Sequence, residues 1–119
     1  MTKIMIVDDS PILRSTIRAV LERSGHHVSG EAGNADEAFE LYKKDKPDLV
    51  LLDILLPGES GLDILRKLKM IDAGVKVLIV TAVNQEVVNE EAKQLGALGI
   101  LYKPFDPSEL TAAITDVLK

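Results

Sequence analysis

Cysteine and tryptophan are both absent from this chain of 119 residues. Without cysteine there is no disulfide, no thiolate-ligated metal and no thiol nucleophile, a composition compatible with a reducing cytosol. Long apolar runs are missing too. Nothing approaches the ~20 residues of a membrane span. The apolar start, Met1-Thr2-Lys3-Ile4-Met5-Ile6-Val7, meets Asp8-Asp9 too soon to serve as a signal peptide. Positive charge is scarce: the formal net charge is -5, which argues against a duplex-binding surface, because phosphate contact needs clustered Lys and Arg. There is no internal repeat, linker or low-complexity tract. These absences point to a small cytoplasmic domain without direct contacts to nucleic acid or membrane. A hydrophobic share of 46% over 119 residues supplies one core and no second, so residues 1–119 are expected to form a single domain.

The stretch around which the rest is organised is Leu49-Val50-Leu51-Leu52-Asp53-Ile54-Leu55-Leu56-Pro57-Gly58, an apolar run interrupted by one carboxylate and closed by a Pro-Gly breaker. A run without polar alternation reads as a strand covered on both faces, the pattern of a parallel sheet inside an α/β domain. Asp53 falls near the carboxyl end of that strand, the edge where open α/β sheets place their ligand sites. A charge buried there needs a cation, donors or water.

Taken in order, Lys3 to Val7 reads as a buried strand, and Ser10 and Pro11 as the N-cap and first position of a helix. That helix carries Ile12, Leu13, Ile17, Val20 and Leu21 and stops at Gly25. His27 to Ala32 is a second strand. Asn34 caps a helix over Ala35–Lys44, with Ala38, Phe39, Leu41 and Tyr42 inward. Gly58 to Gly61 is read as a loop, and Leu62, Ile64, Leu65 and Leu68 as one face of the next helix. Val75 to Val80 is a fourth strand ending at Thr81. Asn84 to Leu95 is a poorer helix on Val87, Val88, Ala92 and Leu95, and Gly99 to Tyr102 a fifth strand. Asp106-Pro107 opens the last helix, on Leu110, Ala113, Ile114, Val117 and Leu118. Five β-α units with short connections make a doubly wound parallel sheet with helices on both faces.

Polar residues collect just past the strands: Asp8 and Asp9 after the first, Asp53 at the end of the third, Thr81 after the fourth, Lys103 after the fifth. Neighbouring strands lie about 4.8 Å apart, so adjacent strands would bring these side chains together. Alone, Asp8 and Asp9 read more readily as helix-capping acids and Thr81 as an ordinary β-former, while Lys103 reads equally well as a solvated edge charge. Together they describe a crevice whose carboxylates repel unless a cation joins them. All-oxygen ligation suits Mg²⁺ or Mn²⁺. Zinc is disfavoured by the lack of cysteine and by the position of His26 and His27 at the opposite end, before the second strand. A metal, an ammonium and a hydroxyl around one carboxylate would stabilise an acyl phosphate on Asp53.

Ile6-Val7-Asp8-Asp9-Ser10, Leu52-Asp53-Ile54-Leu55-Leu56-Pro57-Gly58, Val80-Thr81-Ala82 and Lys103-Pro104-Phe105, in that order, make the chain resemble a response regulator receiver (CheY-like) domain of two-component signalling along almost its whole length. The resemblance implies a flavodoxin-like sandwich with strand order 2-1-3-4-5. It implies Asp53 as acceptor of a phosphoryl group from a histidine kinase or phosphotransfer protein, Asp9 as a direct Mg²⁺ ligand, Asp8 acting partly through water, and the Leu55 carbonyl as a further ligand. Thr81 would bind a phosphoryl oxygen and shift on activation, Lys103 would pair with the phosphoryl group, and the Lys103-Pro104 peptide would be cis. A downstream partner would read the surface of the fourth helix, fifth strand and fifth helix. Such a protein is a signalling module that catalyses only its own phosphorylation and dephosphorylation, as a monomer or a phosphorylation-linked dimer.

The chain departs from the family pattern where receivers often carry an aromatic residue three before the lysine. That position is Ile100, and the aromatic is Tyr102. Strand alternation puts both on one face, which leaves the aromatic part of the switch open. Leu55 and Val83, two beyond Asp53 and Thr81, are apolar and cannot orient a hydrolytic water, so slow self-dephosphorylation is expected. The chain ends directly after the fifth helix, as a stand-alone regulator or phosphorelay intermediate would, or as the N-terminal receiver of a DNA-binding regulator cut at that point. A Mg²⁺-dependent aspartyl-phosphate phosphatase of the haloacid-dehalogenase type would need a second Asp two residues after its nucleophile, and neither Asp8 nor Asp53 has one. An FMN carrier would need a first loop rich in Ser, Thr and Gly, and this one is acidic.

Overall fold

The structure is a computed structural model that describes residues 2–119. Strands and helices alternate throughout: β1 (Lys3–Val7), α1 (Pro11–Arg23), β2 (His27–Ala32), α2 (Ala35–Asp45), β3 (Leu49–Leu52), α3 (Gly61–Ile71), β4 (Val77–Thr81), α4 (Glu86–Gln94), β5 (Gly99–Tyr102) and α5 (Pro107–Leu118). The five strands form one sheet in the order β2-β1-β3-β4-β5, and every pairing is parallel. The doubly wound flavodoxin-like sandwich implied by the resemblance is therefore the observed fold.

Alternation along the central strands sorts their side chains between two cores. Met5, Val7, Val50, Leu52, Val77 and Ile79 point to the layer of α2, α3 and α4. Ile4, Ile6, Leu49, Leu51, Leu78 and Val80 point to α1 and α5. All residues of β3 and β4 are buried, as a sheet covered on both faces requires.

Most helix starts are fixed by side chains that satisfy the free N–H groups of the first turn. Ser10 accepts from the Leu13 N–H with Pro11 at the first helical position, Asn34 accepts from Glu37, and Ser60 from Leu62. Asp106 and Glu109 form a reciprocal capping box at α5. At α4, Gln85 makes no side-chain cap bond.

The structure corrects several sequence readings. Ile12 and Val87, placed on the apolar stripes, are 81% and 79% exposed. Each lies five residues from a core position, Ile17 and Ala92, and so roughly 140° round the helix from it. Gly61 is the first residue of α3 rather than loop, because Ser60 caps the helix one step earlier. β4 begins at Val77 rather than Val75, and α4 spans Glu86–Gln94 rather than Asn84–Leu95. Among the described residues no helix is long and apolar enough to cross a membrane.

Candidate functional site

β1 and β3 run side by side, with Val7 opposite Leu52, so the residues that follow them, Asp8 and Asp53, emerge together. The Asp53 N–H donates to the Val7 carbonyl (3.0 Å) and the Asp8 N–H to the Ala32 carbonyl (3.0 Å), which carries the sheet's bonding one residue past each strand. The two carboxylates are almost fully buried, at 3% exposure for Asp8 and 6% for Asp53.

Unpaired, that burial would be costly. Lys103, carried in just past β5, supplies the partner: its Nζ donates to Asp8 Oδ2 (2.7 Å) and to Asp53 Oδ2 (2.9 Å). The remaining oxygens accept from backbone, Asp8 Oδ1 from the Ser10 N–H (2.9 Å) and Asp53 Oδ1 from the Leu55 N–H (3.1 Å). Burial works against the Lys103 charge, but the hydrogen bonds and charges of Asp8 and Asp53 outweigh it and hold the ammonium above its ordinary range. The lysine is thus fully charged at neutral pH.

Asp9 is exposed at the mouth of the crevice, and carboxylate oxygens of Asp8, Asp9 and Asp53 all lie within 4.8 Å of one another. One ammonium against three carboxylates leaves two negative charges unmatched. The donor set is oxygen only and one member faces solvent, which fits a hard divalent ion that keeps several waters, Mg²⁺ above all.

Thr81 is fully buried at the end of β4, beside the Lys103 backbone, whose N–H donates to the Thr81 carbonyl (2.8 Å). Its hydroxyl accepts from the Val83 N–H (3.2 Å) and makes no hydrogen bond to the acidic cluster. The crevice therefore gathers Asp8, Asp9, Asp53 and Lys103, while the Thr81 hydroxyl is engaged by its own loop. Ile100 packs into the core shared by α2, α3 and α4. Tyr102 lies opposite Thr81 across the β4–β5 pairing, and its hydroxyl accepts from Asn89 Nδ2 of α4 (2.6 Å). The Leu55 side chain is exposed beside Asp53, and the Lys103–Pro104 peptide bond is cis.

Two further residues support the crevice: Gly61, read from the sequence as a glycine that serves loop conformation beside Asp53, and Arg14, which the sequence did not single out. Gly61 packs so tightly under it that an added Cβ would lie 2.2 Å from the Asp53 carbonyl oxygen and 2.6 Å from the Ile54 Cα. Arg14 donates through Nη1 to the Asp8 carbonyl and through Nε to Glu31 (3.1 Å), tying the acidic loop to β2. The sequence marked Gly61 for backbone freedom, whereas the structure shows that the lack of a Cβ is needed for close packing at the first turn of α3. Arg14 carries no such signal, because Glu31 is distant in sequence.

Comparison with known proteins agrees with this geometry. A family model described as "Response regulator receiver domain" matches residues 4–115. The chain is 36% identical to the chemotaxis protein CheY of Thermotoga maritima over 98% of each chain. It is 39% identical to the sporulation initiation phosphotransferase F of Bacillus subtilis, over 98% of this chain and 93% of that one. Among solved structures, a LuxR-family two-component response regulator from Aurantimonas sp. SI85-9A1 superposes with a TM-score of 0.94 at 38% identity, covering 99% of this chain and 85% of the other.

Proposed function

The chain belongs to the response regulator receiver domain family, and from that premise we propose that Asp53 accepts a phosphoryl group from the phosphohistidine of a histidine kinase or phosphotransfer protein. Residues 1–119 act as one receiver domain, a signalling module rather than an enzyme with a separate substrate. The observation that carries the reading is Lys103 bridging Asp8 and Asp53, with the Asp9 carboxylate within reach of both.

In the transfer, a carboxylate oxygen of Asp53 forms a bond to phosphorus as the phosphorus–nitrogen bond of the phosphohistidine breaks, and the imidazole keeps the electron pair. Mg²⁺, held by Asp8, Asp9, Asp53 and the Leu55 carbonyl, with Mn²⁺ as a substitute, would neutralise charge on the phosphoryl oxygens. Lys103 exchanges its bond to Asp53 for one to the phosphoryl group. Thr81 leaves the Val83 N–H to donate to a phosphoryl oxygen, and this rearrangement is passed through Ile100 and Tyr102 to α4. A partner then reads the surface of α4, β5 and α5.

The test is intact mass after incubation with Mg²⁺ and acetyl phosphate, for the wild type and for Asp53→Asn. A phosphoryl adduct that needs both Mg²⁺ and Asp53 supports the reading, and an adduct on Asp53→Asn, or none on either protein, refutes it. The apolar Leu55 beside Asp53 gives the phosphorylated form a long lifetime, which Leu55→Asn should shorten. An unchanged decay rate would contradict that part.

A further inference from the structure

The acidic loop after β1 is tied down through its backbone as well as through its carboxylates. The Asp8 N–H donates to the Ala32 carbonyl (3.0 Å), and the Asp8 carbonyl accepts from Nη1 of Arg14, a residue of α1. Nε of the same guanidinium donates to Glu31 Oε1 of β2 (3.1 Å), while Arg18 Nε holds the other oxygen of Glu31 (2.6 Å). Arg14 therefore joins α1, β2 and the acidic loop, and its anchor, Glu31, is itself fixed by a second cation. Gly33 leaves the space for the guanidinium, since a Cβ there would lie 3.2 Å from Arg14 Nη1. The Arg14 side chain is 18% exposed. An arginine that merely solvates a helix face needs none of these partners.

The Asp8 carbonyl belongs to the peptide unit that leads to Asp9. That unit is planar, so the position of Asp8 and the direction of its carbonyl together place the Asp9 Cα. Both side-chain bonds of Lys103 go to Asp8 and Asp53, and Asp9 is exposed, so the backbone decides where the Asp9 carboxylate stands. From this geometry we infer, on the reading of Asp8, Asp9 and Asp53 as metal ligands, that Arg14 is a positioning residue for the metal site. Anchored by Glu31, it fixes the Asp8–Asp9 peptide so that the Asp9 carboxylate is already beside the other two when a cation arrives. It does so against the repulsion among three carboxylates that share one ammonium. A planar fork of donors can bind the carbonyl and Glu31 at once, whereas an ammonium makes a point contact. The charge of Arg14 works the other way, because a fixed cation near the cluster opposes the binding of a second.

Calorimetric titration of the unphosphorylated full chain with Mg²⁺ separates positioning from the alternatives. Arg14→Ala should weaken Mg²⁺ binding about tenfold, the scale found for residues that orient the ligands of a metal. Loss of a cation would by charge alone tighten the binding, so the sign of the change is diagnostic. Arg18→Ala removes a cation that touches Glu31 and not Asp8, and should not weaken Mg²⁺. Arg14→Lys keeps the charge and should still bind Mg²⁺ more weakly than wild type, which covers the case of an Arg14→Ala chain that does not fold. In the double variant R14A/E31A the second substitution should add no further weakening, because Glu31 acts through Arg14. In metal-free protein, amide exchange at Asp9 and Ser10 should be faster in Arg14→Ala than in wild type. A folded Arg14→Ala or Arg14→Lys chain that binds Mg²⁺ as tightly as wild type overturns the inference and leaves Arg14 a role in stability alone. A wild type that binds no Mg²⁺, or an Asp9→Asn variant that binds it unchanged, overturns the reading of the metal site and the inference with it.

Discussion

Asp8, Asp53 and Lys103 come from three different strand ends and hold one another in a crevice where both carboxylates are almost completely buried. Next to that crevice, α4 and β5 are fastened far more loosely. Ala92 is the single buried residue of α4, its N-terminus has no side-chain cap, and all four residues of β5 are half-buried at best. By contrast α3 buries five residues, and β3 and β4 are buried along their whole length. On the proposed function, the difference separates two tasks. Groups that must bind a phosphate and a metal need fixed positions, whereas a surface that reports their state must have a second arrangement within a few kcal/mol. The rigid crevice and the loosely held α4–β5 flank meet at Thr81, whose backbone carbonyl accepts from the Lys103 N–H and whose hydroxyl is bound to the Val83 N–H, at the start of the loop leading to α4.

That contrast can be broken most severely at Gly61. Gly61→Ala forces a methyl against the Asp53 carbonyl and the Ile54 Cα, and should cost about 3 kcal/mol. Urea unfolding would show it as a lower midpoint with an unchanged slope. A midpoint within error of wild type would mean that the crevice floor yields easily.

Lys103→Met comes next. It leaves Asp8 and Asp53 facing each other without a cation, and should lower stability by about 2 kcal/mol in metal-free buffer, a value reduced for the partial exposure of the lysine. Added Mg²⁺ should recover more stability in the variant than in the wild type. The pH dependence has a definite sign. Because the folded state raises the Lys103 value above the ordinary 10.5, its stabilisation is complete below that pH and fades as pH climbs through the raised folded value. Wild type and variant should therefore differ by a constant amount near neutrality and converge in strong alkali. A gap that widens above pH 10.5 would contradict the pairing.

The smallest expected effect strengthens the weak side. Gln85→Ser supplies the missing cap of α4 and should add about 0.5–1 kcal/mol, read as slower amide exchange in α4 with no change in the acidic loop.

Much of the crevice was legible in the sequence because it is built from strand ends, and strand ends are marked by where apolar runs stop. Asp8, Asp9, Asp53 and Lys103 each follow such a run, and the alternation of elements dictates a parallel sheet that brings their strands together. What escaped depends on angles and distances that periodicity does not fix. Ile12 and Val87 satisfy a loose apolar pattern yet point outward, since a five-residue step turns the helix too far. Gly61 reads as loop until its contact with the Asp53 carbonyl is seen. The Tyr102–Asn89 bond joins two elements whose meeting is set by tertiary packing alone. Strand alternation gave the face of Tyr102 and could not give its partner.

The most direct test of the central claim is amide hydrogen exchange on the protein with and without acetyl phosphate and Mg²⁺. Phosphorylation should change protection mainly in residues 82–102, which cover the loop after Thr81, α4 and β5, while β1, β3 and α1 keep theirs. Changes spread evenly over the sheet, or confined to the acidic loop with α4 and β5 unmoved, would contradict the division between a fixed site and a movable readout.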